Sequence, residues 1–422
     1  MIETLRNAWR IPDLRRKILF TIFCLLIYRF GAAIFVPFIN TDALAEMFKA
    51  GSDTILGMFD MMSGGTFSQG TIFALSIQPY INASIIMNLL TVGIPALERM
   101  QKEGGEEGKK RIAAITRYAT VGLGLLMGFG YYMMMLNANV LTDRSMSIAV
   151  LIILTYTAGS AFIMWLGEQI TEFGVGNGIS VILFASIISR GPSMINSAWG
   201  LAQNSSNWWK IALVLVLAVA AVAFVVFISN AERRIPIQYA KRMVGRKMYG
   251  GQSTHLPIKV NMSGVMPVIF ANTIASFPMT VAMFISPSAR ESVGKVFGQT
   301  SWIYAVVYLL LIVAFSYFYQ SIQFNPIEIS NNLKQNGGSI PGFRSGKPTA
   351  DFIRKVLNKV TLFGAIFLGI IAIMPILMNN FMDIAGLAMG GTSLLIVVGV
   401  ALETVKAIEA QMLMRHYKGF LE

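Results

Sequence analysis

Charged residues are scarce in this sequence of 422 residues. Asp, Glu, Lys and Arg make up 13% of the chain, whereas hydrophobic residues make up 55%. Soluble globular proteins are about one quarter charged. So few charges cannot cover the surface of a chain of this length in water. The composition therefore excludes a soluble globular protein and indicates that the main solvent is lipid.

Cysteine and histidine are almost absent. The single cysteine, Cys24, lies in the first apolar run, so an intrachain disulfide is excluded. The two histidines, His255 and His416, lie in a loop and in the C-terminal tail. No histidine is therefore left for a proton relay or a metal site among the apolar runs, and we predict neither a metal nor a cofactor.

Long apolar runs dominate the sequence instead. Each is close to the length of about 20 residues that a helix needs to cross a bilayer. Backbone groups in hydrocarbon must be bonded within their own segment, and the alternating strands of a barrel are absent, so we expect helices. The sequence thus predicts an all-α polytopic membrane protein with ten transmembrane helices, at 18–38, 71–92, 112–136, 148–166, 179–195, 211–228, 262–285, 302–321, 360–378 and 384–402.

Lysine and arginine are concentrated on one side of the predicted membrane. Of the 34, 25 lie in the N-terminal stretch, the C-terminal tail and the loops after even-numbered spans. The positive-inside rule places these parts, and hence both termini, in the cytoplasm. The loop 167–178 departs from this trend because it carries two glutamates and no basic residue. The first run is interrupted by Arg29 and lacks a small-residue cleavage site, so we expect a retained span and not a signal peptide.

Spans two and seven contain the same pattern. Residues 79–86 and 267–274 both read P-x-I-x-A-x-x-I. Five spans separate them, as two five-helix halves at 1–209 and 210–422 would predict. An odd number of spans per half makes the halves inverted, and inverted halves place a pathway at their interface. Alternatively, Pro79 and Pro267 only kink two packed helices.

The centres of the spans carry almost no Asp, Glu or His, which ion-coupled transporters and pumps generally need there. Arg29 is the one ionisable residue deep within a span, and we expect it to fix a helix by pairing. Ile77 and Ile81 share a helix face, as do Val265 and Ile269. A ring of such aliphatic side chains can seal a pore by dewetting. Ordinary helix packing is the alternative for each isoleucine.

Signatures of enzymes are missing. The segment 342–347, G-F-R-S-G-K, is too short for a phosphate-binding Walker loop and is followed by proline. The glycine-rich loop 174–178 lacks the strand-then-helix setting of a dinucleotide site. Because no nucleophile stands beside a histidine base, we predict that the protein is not an enzyme. A second glycine-rich segment, 57–70, is too short to cross the membrane and forms either a movable element over a pore or a surface loop.

Two long loops on the predicted cytoplasmic side are basic. The loop 230–261 holds seven Lys and Arg against one acid, Glu232. We expect the stretches 235–242 and 246–249 to be extended, with Gly245 in a turn between them. A basic hairpin suits acidic or phosphate-rich partners, including structured RNA. Alternatively, the basic residues only set the orientation of the chain in the membrane by interacting with anionic lipid. In the second loop, 323–359, Pro341 and the nearby glycines predict a tight turn that presents Arg344.

The sequence resembles the SecY/Sec61-alpha family, whose bacterial member SecY is the channel-forming subunit of the Sec protein translocase. The resemblance is carried by W-L-G-E-Q-I-T-E-F-G-V-G-N-G-I-S at 165–180, Y-A-K-R at 239–242, Q-S-T-H-L-P-I-K-V-N-M at 252–262 and the turn 341–344. It extends from the N-terminus to the tail. Ser76 and Asn88 depart from it, since the family usually has Gly and Gln at these positions.

The resemblance implies a role for several sets of residues. The central pore ring corresponds to Ile77, Ile81, Leu183, Ile269 and Ile396. The plug corresponds to the segment 57–70, with Gly57, Phe59, Met61, Met62, Gly64, Gly65 and Phe67. The lateral gate corresponds to the boundary between spans two and three on one side and spans seven and eight on the other, with Pro79, Asn88, Pro267 and Asn272. The docking surface for the ribosome or the SecA motor ATPase corresponds to Lys241, Arg242, Arg246, Lys247 and Arg344.

The function implied is that of a protein-conducting channel. We expect it to pass unfolded secretory chains with their signal peptides across the bacterial cytoplasmic membrane and to release apolar segments into the lipid. SecE and SecG are the implied membrane partners, and SecA or the ribosome supplies the energy. A secondary transporter of small solutes with inverted repeats is the alternative, although the spans offer no obvious ligands for a solute. A membrane scaffold without a pathway is a third possibility.

Overall fold

A computed structural model describes residues 9–50, 60, 63–102, 104–193, 195–196, 208–239, 242–244, 247–249, 253–262, 264–285, 293–294, 296–298, 301–382 and 390–418. Among these residues, the helices of the N-terminal half are α1 Pro12–Gly31, α2 Thr41–Ala50, α3 Gln78–Gly93, α4 Pro95–Lys102, α5 Gly105–Asn137, α6 Met146–Phe173 and α7 Gly178–Ser189. Its C-terminal half contains α8 Trp208–Asn230, β1 Glu232–Tyr239, β2 Arg242–Val244, β3 Lys247–Tyr249, β4 Ser253–Lys259, α9 Met266–Ile285, α10 Trp302–Gln323, α11 Pro326–Gln335, β5 Gly338–Ser339, α12 Lys347–Met382 and α13 Gly390–Lys418.

Each predicted span overlaps one of these helices. Within the described residues, α5, α6, α8, α10 and α12 are long and apolar enough to cross a membrane unaided, and α3 with α4 would form a sixth span bent by 104°. Pro95 begins α4 and explains the break, because a proline disfavours helical backbone in the residue before it. The prediction of an all-α polytopic membrane protein is confirmed.

The first helix differs from the predicted span 18–38. It begins at Pro12, where proline fits the first turn, and ends at Gly31. The chain after it bonds to the segment that precedes α3, since the Val36 N–H donates to the Gly70 carbonyl at 3.1 Å and the Ile72 N–H to the Ile34 carbonyl at 3.0 Å. Residues 32–38 therefore support the start of α3 instead of extending α1.

Arg29 is placed differently from the expectation of a residue deep within a span. It stands in the last turn of α1 and its side chain is exposed. A positive charge there interacts favourably with the negative end of the helix dipole. The early end of α1 accounts for the difference.

The two basic loops share one sheet. β1 pairs with β4 in antiparallel register, from Glu232 opposite Lys259 to Gln238 opposite Ser253. β5, from the second loop, pairs with the other edge of β1. Ile235, Ile237, Ile258 and Ile340 are buried together against α11 and the start of α12. The sequence did not predict that the two loops fold as one unit.

A buried apolar cluster connects the halves. It takes side chains from α1, α3, α6 and α7 in the first half and from α8, α9, α10, α12 and α13 in the second. Contacts between the halves include α7 packed against α13 and α5 against α9. The candidate site lies between these two lines of contact.

Candidate functional site

The five expected ring residues are all buried members of this cluster. The exposed fractions are 0% for Ile77, 5% for Ile81, 2% for Leu183, and 3% for both Ile269 and Ile396. They come from four helices: Ile77 is the N-cap of α3 and Ile81 lies in its first turn, while the others lie on α7, α9 and α13. Branched aliphatic side chains brought together from both halves can exclude water, and nothing in their chemistry binds a particular solute.

The two copies of the P-x-I-x-A-x-x-I pattern have the same local structure. Pro79 is the second residue of α3 and Pro267 the second residue of α9. The Ile81 N–H donates to the Ile77 carbonyl at 3.1 Å, and the Ile269 N–H donates to the Val265 carbonyl at 3.2 Å. A proline in the first turn removes no helical hydrogen bond. Both prolines therefore begin a helix, and neither interrupts one as the kink alternative required.

Two polar side chains of the expected gate lie next to tyrosines of α10. Asn272 on α9 is 5% exposed, and its Oδ1 accepts from the Tyr304 hydroxyl of α10 at 3.4 Å. The Asn88 side chain on α3 lies near the Tyr319 hydroxyl of α10. This proximity brings polar groups of the two halves together. Hydrogen bonds between such groups hold helices together while remaining easy to exchange for water or a polar backbone.

The glycine-rich segment is packed into the protein and is not a surface loop over its described part. Asp60, Ser63 and Thr66 are buried. The Thr66 hydroxyl donates to the Ser63 carbonyl at 2.9 Å, and the Ser63 hydroxyl donates to the Asp60 carbonyl at 3.0 Å. Gly64 and Gly65 have φ of +73° and +88°, which only glycine adopts without strain.

Aromatic rings hold the other end of this segment. Phe67 stacks on Tyr131 of α5 with ring centroids 4.3 Å apart and meets Phe48 edge-on at 5.3 Å. The Tyr131 hydroxyl also donates to the Phe67 carbonyl. Of the expected plug residues, Gly64 lies against α7 and Phe67 packs in a second buried cluster with Phe48 and Tyr131, with Gly65 between them in the chain. Gly57, Phe59, Met61 and Met62 lie outside the described residues.

An ion pair anchors the segment to α7. Arg190, the C-cap of α7, places Nη1 2.5 Å from Oδ2 of Asp60. The other carboxylate oxygen of Asp60 accepts from the Ser68 N–H at 2.7 Å. The sequence reasoning missed this pair. The sequence does carry a hint of it, because Asp60 is the only acidic residue in 57–70 and Arg190 is the only charged residue in the predicted span 179–195.

The signature at 165–180 positions α7. The Asn177 side chain caps α7 by accepting from the N–H of Ile179 at 3.1 Å. A Cβ at Gly178 would lie 2.0 Å from the Gly167 carbonyl oxygen, so only glycine allows α6 and α7 to approach this closely. The Val175 N–H donates to the Thr21 hydroxyl of α1 at 3.1 Å. The glycine-rich loop 174–178 therefore fixes the position of α7 against α6 and α1 and is not a phosphate site.

The docking residues are described in part. β2 and β3 form an antiparallel hairpin with Arg242 opposite Tyr249 and Val244 opposite Lys247. The predicted stretch 246–249 corresponds to β3, whereas the stretch 235–242 corresponds mostly to β1 and shares only residue 242 with β2. For Arg242 and Lys247 the structure describes only the backbone, and Lys241 and Arg246 lie outside the described residues.

The second loop presents Arg344 as predicted. The side chain is exposed, and the Arg344 carbonyl accepts from the Thr349 hydroxyl at 2.8 Å. Gly342 and Gly346 have φ of +85° and +101°, and Phe343 packs on Phe352 with ring centroids 4.2 Å apart. The turn is thus fixed against α12 on both sides of Arg344. Since β5 pairs with β1, this turn and the β2–β3 hairpin extend from the same sheet.

Comparison with known proteins identifies the family. A family model described as SecY matches residues 71–405. The chain belongs to the SecY family. It is 42% identical to protein translocase subunit SecY of Streptomyces galbus and 44% identical to that of Halalkalibacterium halodurans, with 100% of each chain covered.

Solved SecY-like structures share the fold. "The structure of a protein conducting channel" covers 94% of this chain and 92% of its own, with a TM-score of 0.63 and 18% identity. Sec61 in a canine ribosome–channel complex from the endoplasmic reticulum has a TM-score of 0.59 at 16% identity, and also covers 94% of this chain and 92% of its own. SecY is a channel subunit of the translocase and not an enzyme, and these findings do not support a secondary transporter of small solutes.

Ser76, which stands where SecY proteins usually have glycine, is strained. It is buried at 1% exposure and has φ of +49°, a conformation that costs a non-glycine residue about 1–2 kcal/mol. We expect Ser76→Gly to stabilise the folded protein, because this relief exceeds the ~0.4–1 kcal/mol by which glycine favours the unfolded chain. The midpoint of thermal unfolding in detergent should rise by a few degrees.

The matched control is Ser84→Gly in the middle of α3, where the backbone is helical. Glycine there should lower the same midpoint, since it costs about 1 kcal/mol in a helix interior. A fall in the midpoint for Ser76→Gly as well would contradict the strain assigned to this position.

Proposed function

We propose that this SecY protein conducts unfolded secretory polypeptides past the five ring residues. The observation that carries the proposal is that these residues, from α3, α7, α9 and α13, all belong to one buried apolar cluster that draws on both halves. Aliphatic side chains contact each other by weak, non-directional forces, so they can part around a polypeptide of any sequence and close again.

The segment 57–70 is the plug in this proposal. Its described part is buried beside the ring helices and is held by polar contacts to α1, α5 and α7. Hydrogen bonds that exchange with water cost little to break compared with a covalent or large apolar contact. The segment can thus stay seated at rest and leave when a polypeptide enters. A solved structure with a TM-score of 0.62 and 17% identity is described as a SecY whose plug domain stabilises the closed channel and maintains a membrane seal.

The lateral gate lies between α3 and α5 on one side and α9 and α10 on the other. The contact of α5 with α9 and the proximity of Asn88 to Tyr319 support this placement. Pro79, Pro267 and Asn272 belong to the same helices. The halves 1–209 and 210–422 would separate here and remain joined where α7 packs on α13. An apolar segment in the pore can then pass directly into the lipid.

The sheet that joins the two basic loops is the docking surface. Arg344 is exposed on a fixed turn, and Lys241, Arg242, Arg246 and Lys247 belong to the neighbouring hairpin region. We propose the SecA motor and ribosomal RNA as its partners, SecE and SecG as small membrane subunits, and anionic lipid around the spans. The location is the bacterial cytoplasmic membrane, with both termini in the cytoplasm, as the distribution of Lys and Arg favours.

Reversing the charge of Arg344 tests the docking role. We expect Arg344→Glu to reduce motor-driven import of a preprotein into reconstituted vesicles by about tenfold or more, since a charged contact at an interface is replaced by repulsion. Arg99→Glu makes the same charge change on the exposed face of α4 and should have little effect. Import that is equal in both variants would remove Arg344 from the docking surface.

A further inference from the structure

One face of α7 carries both a ring residue and the contacts to the glycine-rich segment. Leu183, Ser186 and Arg190 are spaced by three and four residues, so they lie on the same side of the helix. Leu183 belongs to the ring. The other two, with Ser189 beside them, face the segment 60–70.

The contacts along this face are close. A Cβ at Gly64 would lie 2.8 Å from the Ser186 carbonyl oxygen, so the two backbones touch. The Ser189 hydroxyl donates to the Gly64 carbonyl at 3.4 Å. Ser186 also shares a 2.7 Å hydrogen bond with the Tyr28 hydroxyl, which in turn donates to the Ser63 carbonyl at 3.3 Å.

The ion pair between Asp60 and Arg190 is the strongest of these contacts. The Asp60 side chain is 5% exposed and that of Arg190 is 30% exposed, so water screens their attraction only in part. Both oxygens of the carboxylate are used, one by Arg190 and one by the Ser68 N–H. Neutralising one member would leave the other charge buried without its counter-charge.

We propose that Asp60 and Arg190 form the tie that holds the plug closed, and that α7 connects the release of this tie to widening of the ring. The inference rests on the proposed plug and ring. A polypeptide that pushes Leu183 outward moves α7, and Arg190 moves with it because both belong to one helix. The distance between the guanidinium and the carboxylate then grows, and the segment loses its anchor as the ring opens. Both are positioning residues, since neither needs to touch the transported chain.

Resting ion conductance in planar bilayers, recorded with the complete translocase, tests the tie. We expect Asp60→Asn and Arg190→Gln each to raise this conductance about tenfold, as a buried polar group loses its partner. The double variant should conduct no more than either single variant, because the second change removes nothing further. Glu107→Gln and Arg111→Gln break a matched ion pair of 2.8 Å on the exposed part of α5 and should leave the conductance unchanged.

Testing Arg190→Gln in a protein that lacks residues 59–67 distinguishes a failure of the proposed ion-pair role from a failure of the proposed plug. This deletion removes Asp60, so Arg190→Gln should add nothing to its leak if Arg190 acts only through the tie. An additional leak would show that Arg190 acts elsewhere and would overturn the inference. If the deletion leaks and the single variants do not, the tie is wrong and the plug stands. If the deletion itself does not leak, the proposed plug is wrong.

Discussion

Channels that lack Phe59 to Phe67 should conduct ions at rest at least about tenfold more than the intact protein, because the deletion removes several hydrogen bonds and a stacked aromatic pair, each worth about 1 kcal/mol, that hold the closed state. The lost contacts include the bond of Tyr131 to the Phe67 carbonyl and the Asp60–Arg190 ion pair. The ring alone then has to exclude water. The measurement is the single-channel conductance of the reconstituted protein without a polypeptide substrate.

A substitution within the same segment is the control for this deletion. Gln69 is exposed, so Gln69→Ala should leave the resting conductance unchanged. A silent deletion would show that the segment does not seal the pore and that the ring suffices. Equal leaks from the deletion and from Gln69→Ala would show that any change in this segment perturbs the channel, which the buried contacts do not predict.

The membrane helices were predictable because lipid restricts the backbone so strongly. An apolar run long enough to cross the bilayer can satisfy its backbone groups within its own segment only as a helix, and each of the ten runs overlaps a helix. Local chemistry was equally informative at Arg344, where Pro341 and the glycines specify the turn, and at the β2–β3 hairpin. In these places the residues that determine the structure are neighbours in sequence.

Contacts between distant segments were not predictable in the same way. The pairing of β5 with β1 joins residues about a hundred positions apart, as at Gln238 opposite Ser339, and no periodicity signals it. The Asp60–Arg190 pair depends on how α7 packs, which the sequence does not state. The end of α1 at Gly31 follows from hydrogen bonds to residues 70–72. Each of these features needed the tertiary structure.

The repeated proline pattern was recognised in the sequence, but its effect on local structure was not determined by it. The repeat at Pro79 and Pro267 was visible in the sequence, but a kink and a helix start were equally compatible with it. The matching positions of both prolines in α3 and α9 favour the start. The assignment to SecY rested on the longer motifs, whereas the ring residues needed the shared buried cluster to be brought together.

A polypeptide in transit should contact the ring residues, and disulfide crosslinking can detect these contacts. A secretory chain stalled in transit and carrying one cysteine in its mature part should form a disulfide with a cysteine placed at Ile81, after Cys24 is replaced by alanine. The same should hold for Leu183, Ile269 and Ile396, since all of them belong to the cluster through which the chain is proposed to pass. Leu154 on α6 lies outside this cluster and is 53% exposed, so it provides the matched control.

This crosslinking experiment is the most direct test of the proposal that the ring residues surround the pathway. The proposal predicts strong crosslinks from every ring position and a yield at Leu154→Cys no higher than that of a chain without an introduced cysteine. Crosslinks that are as strong at Leu154 as at Ile81, or a stalled chain that reaches only one of the ring positions, would contradict it.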